Sequence, residues 1–176
     1  TYLRSAGGSA TEVAGYAEAL IAFYGGHLDE ALAATREAFR NEEWLYEAKR
    51  LEGDILLEMG ADMRLHGDPD GALEVLSEAG EAYAVAATIA RSDPSVHEGE
   101  CARWTQILEI RSRRGAPVEE AFDEAAAACG RSLSIDPQRD HEGFFTVVAM
   151  NEIAMVRPPF SNSGCDIDNP TPIAQS

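Results

Sequence analysis

Lysine is almost missing from this chain: Lys49 stands alone beside thirteen arginines, against 31 acidic residues and a formal net charge of −17. So weak a positive complement excludes a phosphate-tracking nucleic-acid binder and a protein drawn to anionic lipid. No stretch approaches the ~18 consecutive apolar residues of a membrane span. Cysteine is sparse and odd in number (Cys101, Cys129, Cys165), without short spacing, which argues against a disulfide framework and a thiolate metal site. The expectation is free thiols in a reducing, cytoplasmic compartment, with Cys101 and Cys129 as small core residues. The four histidines (His27, His66, His97, His141) show no pair at the three- or four-residue spacing that one helical face requires, so no metal is expected, and no cofactor either. Thr1-Tyr2-Leu3-Arg4 does not open a secretory signal, and the missing initiator methionine reads as a chain taken from a longer or processed protein.

Strand signals are nearly absent, whereas alanine is about one residue in six. Apolar residues recur at three and four: Trp44, Ala48, Leu51, Ile55, Met59 and Met63 form one stripe. Ala72, Leu76, Ala79, Tyr83, Ala86 and Ala90 form a second, and Val118, Phe122, Ala125, Cys129 and Leu133 a third. Capping boxes are read at Ser9–Glu12 and Ser95–Glu98, and Asp68-Pro69 places a cap before a proline at the first helical position. Gly25-Gly26, Gly67 and Gly115 follow apolar stripes and end helices, as do Asp93-Pro94 and Asp136-Pro137. The pattern predicts seven helices near 10–24, 28–40, 43–66, 69–91, 96–114, 117–134 and 140–156, within one helical domain over 1–159. The turn-rich stretch 160–176 reads as a polar tail or extended strap.

Short connections make neighbouring helices antiparallel, so the chain is a string of hairpins. The hairpins resemble one another: Gly26-His27-Leu28-Asp29-Glu30-Ala31-Leu32 aligns with Gly67-Asp68-Pro69-Asp70-Gly71-Ala72-Leu73. Gly115 to Phe122 follows the same plan with one extra residue. Recurrence of a helical pair at this scale means an α-solenoid.

The turn pattern G-x-x-x-E-A-L, the alanines seven residues on (Ala38, Ala79, Ala128) and the ending Ser132-Leu133-Ser134-Ile135-Asp136-Pro137 resemble tetratricopeptide repeats over about residues 10–156. Ala31 and Ala72 lie 41 residues apart and Ala72 and Ala121 49 apart, against the usual 34, so the helices are long and the superhelix looser. The segments Tyr46–Asp54 and Tyr83–Pro94 are similar in style to repeat regions that follow bacterial serine/threonine kinase domains.

The resemblance implies a right-handed superhelix of hairpins whose first helices line a concave groove. It implies Tyr16, Leu20, Phe23 and Tyr24 on that surface in the first repeat, and Asp54, Leu57, Ala61 and Arg64 in the second. In the third it implies Arg103, Gln106, Ile110, Arg113 and Arg114, with Asn151 facing the groove from the seventh helix. A groove aromatic at one end and cationic at the other suits an acidic or carboxylate-ended peptide, because arginine forks grip carboxylates bidentately. The same arginines, close to a helix C-terminus, also suit the helix dipole and nearby acids.

Catalytic patterns are weak beside this. Gln138-Arg139-Asp140 mimics part of a kinase catalytic loop, but Phe145 stands where an asparagine belongs, and no glycine-rich loop or strand lysine accompanies it. Asp166-Ile167-Asp168-Asn169 lacks the glycine and closing glutamate of a calcium loop. Cys129 falls on an alanine-rich stripe, so packing outweighs nucleophilic use. The expected function is a non-catalytic protein–protein interaction scaffold, the regulatory part of a larger bacterial signalling protein. The alternative is a small-ligand-binding or enzymatic helical array. Phe144, Phe145, Val147, Val148 and Ile153 cover more than one face of the seventh helix, for which the tail, a second copy of the chain or a further repeat are candidate covers.

Overall fold

The computed structural model describes residues 15–137, which form six α-helices and, among the described residues, no strand. In chain order they are α1 (Tyr16–Tyr24), α2 (Leu28–Asn41), α3 (Tyr46–Leu65), α4 (Pro69–Ile89), α5 (Pro94–Arg113) and α6 (Glu119–Ile135). The all-α expectation holds, and five of the expected helices are found within a few residues of their expected bounds; the first is seen from Tyr16 onward. The cap at Ser9–Glu12, the helix expected at 140–156 with Asn151, and the tail at 160–176 lie outside the described residues.

The helix ends follow local chemistry. Asp68 Oδ1 accepts from the Gly71 N–H at 2.9 Å, with Pro69 at the first helical position. Asp93-Pro94 repeats this device and corrects the reading of it as a helix stop. Asp93 Oδ1 accepts from the Ser95 N–H at 2.9 Å and from its hydroxyl at 2.6 Å, so α5 begins at Pro94, ahead of the expected Ser95–Glu98 box. Gly26, Gly67 and Gly115 take φ of 77°, 85° and 65°, the left-handed turn that closes α1, α3 and α5 and that a Cβ would strain. Trp44 is corrected too. It sits before α3 with 56% of its surface exposed and its indole N–H donating to Glu42 at 2.6 Å, while Leu45, fully buried, takes the core position.

The helices pack as α1 on α2, α3 on α4 and α5 on α6, with α2 on α3 and α4 on α5 between them and α3 also meeting α5. Alanine sets these approaches. Ala31, Ala72 and Ala121, and seven residues on Ala38, Ala79 and Ala128, have no exposed surface. One cluster joins α1, α2 and α3 through Tyr16, Ala19, Ala31, Ala38, Leu51 and Ile55, and a second joins α4, α5 and α6 through Leu76, Ile107, Leu108, Ile110 and Ala121. Between them the Tyr83 ring, fully buried, lies where Cβ atoms would stand on Gly53 of α3 and Gly99 of α5. A Cβ on Gly53 would fall 2.5 Å from the ring.

The cysteine expectation is overturned. Cys101 and Cys129 are joined in a disulfide between α5 and α6, with Cα atoms 4.9 Å apart, inside the ordinary range for such bonds. Both are buried, as expected of them, but they are not free thiols. Long sequence spacing gave no hint of the pair, because only the antiparallel hairpin brings two residues 28 apart into register. Among the described residues no helix is long and apolar enough to cross a membrane.

Candidate functional site

Two surfaces gather the polar chemistry of the described residues. The first runs along the seam of α3 and α5. At one end, Asp54 accepts from the Tyr83 hydroxyl at 2.8 Å and from Arg50 at 2.7 Å. Burial pushes the Asp54 carboxyl upward, against the pull of Arg50 and Tyr83. For Arg50, burial is the largest single influence and works downward, but Asp54, Tyr16, Asp93 and Tyr83 together outweigh it, leaving the guanidinium above its ordinary value. Tyr16 is raised by burial, and Tyr83 is raised well above its ordinary value by burial and then by Asp54.

Further along, Gln106 donates to the Leu57 carbonyl at 3.4 Å and Arg64 pairs with Glu109 at 3.3 Å, while Glu109 also holds Arg113 at 2.6 Å. Gln106 Oε1 and Arg64 Nε, sealed from solvent, have no hydrogen-bond partner among the described residues. An unmatched buried polar atom costs about 1–3 kcal/mol, so this seam carries a polar cost.

The expected groove residues divide. Tyr16 is buried, and Leu20 and Phe23 are half-buried against the first cluster; Tyr24 is 83% exposed and packs on Phe23 at 5.4 Å. Leu57 and Arg64 of α3 meet Gln106 and Glu109 of α5 along the seam, Asp54 pairs instead with Arg50 and with Tyr83 of α4, and Ala61 lies half-buried on α3. Arg103 and Ile110 do not. Ile110 is buried among Ala72 and Leu76, and Arg103, 8% exposed, turns to α4, donating to the Leu76 carbonyl at 3.3 Å. The reason is the one extra residue in the turn before α6: each residue turns a helix by about 100°, so counting back from Ala121 at the offset of the other hairpins lands on a different face. Arg113 and Arg114 are exposed but paired, Arg113 with Glu109 and Arg114 with Asp70. The dipole-and-ion-pair reading of this cluster therefore describes its ground state. Asn151 lies outside the described residues.

The second surface escaped the sequence. A cleft of about 420 Å³ opens between α4, α5 and α6, lined by Gly80, Ala84 and Ala87 on one side, Glu100, Arg103 and Trp104 beneath, and Glu124 and Arg131 opposite. It lies about half a turn around α5 from Gln106 and Glu109. Arg103 binds Glu100 at 2.9 Å, and its guanidinium stacks 4.4 Å from the Trp104 ring centroid. Gly80 admits that guanidinium, since a Cβ there would stand 2.8 Å from Arg103 Cζ.

Two other groups went unread. Glu52, 5% exposed, binds Arg36 and Lys49, each at 2.7 Å, and Arg36 reaches Glu78 at 3.0 Å, tying α2, α3 and α4 together. Tyr46 is pushed up to about 12 by burial and by its hydrogen bond to Asp93. At Asp93, burial works upward, but hydrogen bonds from Ser95 and Tyr46 outweigh it and hold the carboxyl below its ordinary range.

The tyrosines give a prediction with a definite sign. Tyr16, Tyr46 and Tyr83 are each raised in the fold, so the folded state keeps these protons longer than the unfolded chain does. Their contribution is complete below the ordinary value of 10.0 and is lost as pH rises above it, through about 12 for Tyr46. Helicity should fall, and tyrosinate absorbance should rise, together over that window. In the Tyr2→Phe/Tyr24→Phe protein, which leaves Tyr16, Tyr46 and Tyr83 as the only tyrosines, absorbance rising near pH 10 with helicity intact would place these hydroxyls in water.

Compared with family models, with curated proteins and with solved structures, the chain finds no match in any of the three.

Proposed function

We propose that the chain is a non-catalytic interaction scaffold, an α-solenoid of tetratricopeptide-like hairpins in a right-handed superhelix that holds a partner protein or peptide on its concave side. The observation that carries this reading is the packing of each helix on its chain neighbours together with α3 on α5, so that the second and third hairpins meet first helix to first helix. Stability in such a series comes from neighbouring interfaces, and a long face stays free for a partner. An acidic or carboxylate-ended segment fits the end near Arg64, Arg113 and Arg114. There a partner's carboxylate replaces Glu109 or Asp70 in surface pairs worth little by themselves, so the exchange has a low cost. Regulation of a larger bacterial signalling protein is the setting we favour. Cytoplasmic residence rests on free thiols; with Cys101 and Cys129 joined, we place the scaffold where disulfides persist, in an oxidising compartment.

The test is capture of the partner by the Arg113→Ala/Arg114→Ala protein. Capture should weaken at least about tenfold, the order expected for losing charge-assisted contacts, with far-ultraviolet helicity unchanged. Undiminished capture by a fully helical double variant would remove these arginines from the interface.

A further inference from the structure

We infer that the cleft between α4, α5 and α6 captures the free C-terminus of a partner peptide, with its α-carboxylate on Arg131 and its last side chain against Trp104. This rests on the scaffold reading and gives the partner a second, chemically defined foothold, about half a turn around α5 from the α3 seam. Charge assigns the ends. Most described arginines are committed: Arg36, Arg50, Arg64, Arg103, Arg111, Arg113 and Arg114 each hold an acid. Arg131 lines the cleft with no ion pair among the described residues. Beneath it, Arg103 and Glu100 neutralise one another, so the cleft floor neither repels a carboxylate nor competes with Arg131 for it. The buried flank of Arg103, its side chain 10% exposed, fixes the indole it stacks on.

Shape assigns the rest. Gly80, Ala84 and Ala87 present a wall without long side chains at successive turns of α4, so a peptide's terminal apolar side chain can lie between that wall and Trp104. At about 420 Å³ and open to solvent, the cleft has room for the last residues of a peptide laid along it. Glu124, about two turns before Arg131 on α6, faces the same space as an acceptor for a backbone N–H of the incoming chain. An internal acidic side chain lacks the adjoining apolar group in this geometry, which is why a terminal carboxylate is the better fit.

The experiment uses the full chain carrying Trp44→Phe, which leaves Trp104 as the one indole. The probes are the tetrapeptide Ac-Gly-Gly-Ala-Leu with a free carboxylate and the same peptide as its C-terminal amide. Trp104 emission should shift saturably with the acid, at least about tenfold more weakly with the amide, and at least about tenfold more weakly with the acid in the Arg131→Ala protein. Arg131→Lys should recover only part of the affinity, because an ammonium does not reproduce the bidentate fork. Equal binding of acid and amide, indifference to Arg131→Ala, or no saturable shift would each overturn the proposal. The scaffold reading is judged separately, by capture of the whole partner through Arg113 and Arg114, so failure at the cleft leaves that result standing.

Discussion

Gly99→Ala should destabilise the protein by about 2–3 kcal/mol, and Gly53→Ala by a similar amount, although alanine is the better helix former by about 1 kcal/mol. Both glycines lie within helices, α5 and α3, where propensity alone predicts a gain. The decisive neighbour is Tyr83. A Cβ on Gly53 would stand 2.5 Å from its ring, and one on Gly99 would collide with the same ring from α5. The ring cannot swing away cheaply, because its hydroxyl is held by Asp54 at 2.8 Å and no part of it reaches solvent. Overpacking against an anchored aromatic therefore outweighs propensity. Gly130→Ala is the opposite case: no atom lies within 4 Å of its added Cβ, so propensity decides and a gain of about 0.5–1 kcal/mol is expected. Urea denaturation of the three variants checks both signs. In the Tyr83→Ala background the Gly99→Ala penalty should vanish, because the two residues are directly coupled. A persistent penalty there would put its cause elsewhere.

The second large effect concerns the link between α5 and α6. Cys101 and Cys129 close a loop with a sequence separation of 28, for which the chain-entropy relation gives about 3–4 kcal/mol. Cys101→Ala/Cys129→Ala should lower the unfolding free energy by about that amount. The wild-type protein treated with reductant under unfolding conditions should fall to the same value. Intact oxidised protein should be lighter than the reduced form by two hydrogen atoms. Equal stability with and without reductant would show that the α5–α6 packing, rather than the covalent link, holds this hairpin.

Much of this was legible from residue spacing. The alanines at 31, 72 and 121, and those seven residues on, announce close helix approach, and all six are fully buried. Asp68-Pro69 and the glycines at 26, 67 and 115 announce where helices begin and end, because their signal is local backbone chemistry. What failed depended on rotation or on tertiary register. One extra residue before α6 turned Arg103 and Ile110 from an expected groove into the α4 interface. Trp44 read as core by size and spacing, yet the α2–α3 turn gave that position to Leu45. The disulfide, the Tyr83 slot and the cleft carrying Arg131 each need two or three helices to be placed before the residues meet, and no single stretch encodes that meeting.

Native-state hydrogen exchange on the Cys101→Ala/Cys129→Ala protein distinguishes a series of hairpins from a closed bundle most directly. Where hairpins lean only on their neighbours, loss of the link should reduce amide protection in α5 and α6, reach α4 weakly, and leave α1 and α2 as protected as in the parent protein. A uniform loss of protection from α1 through α6 would mean that the helices open as one unit, and the free concave face proposed for a partner would go with it.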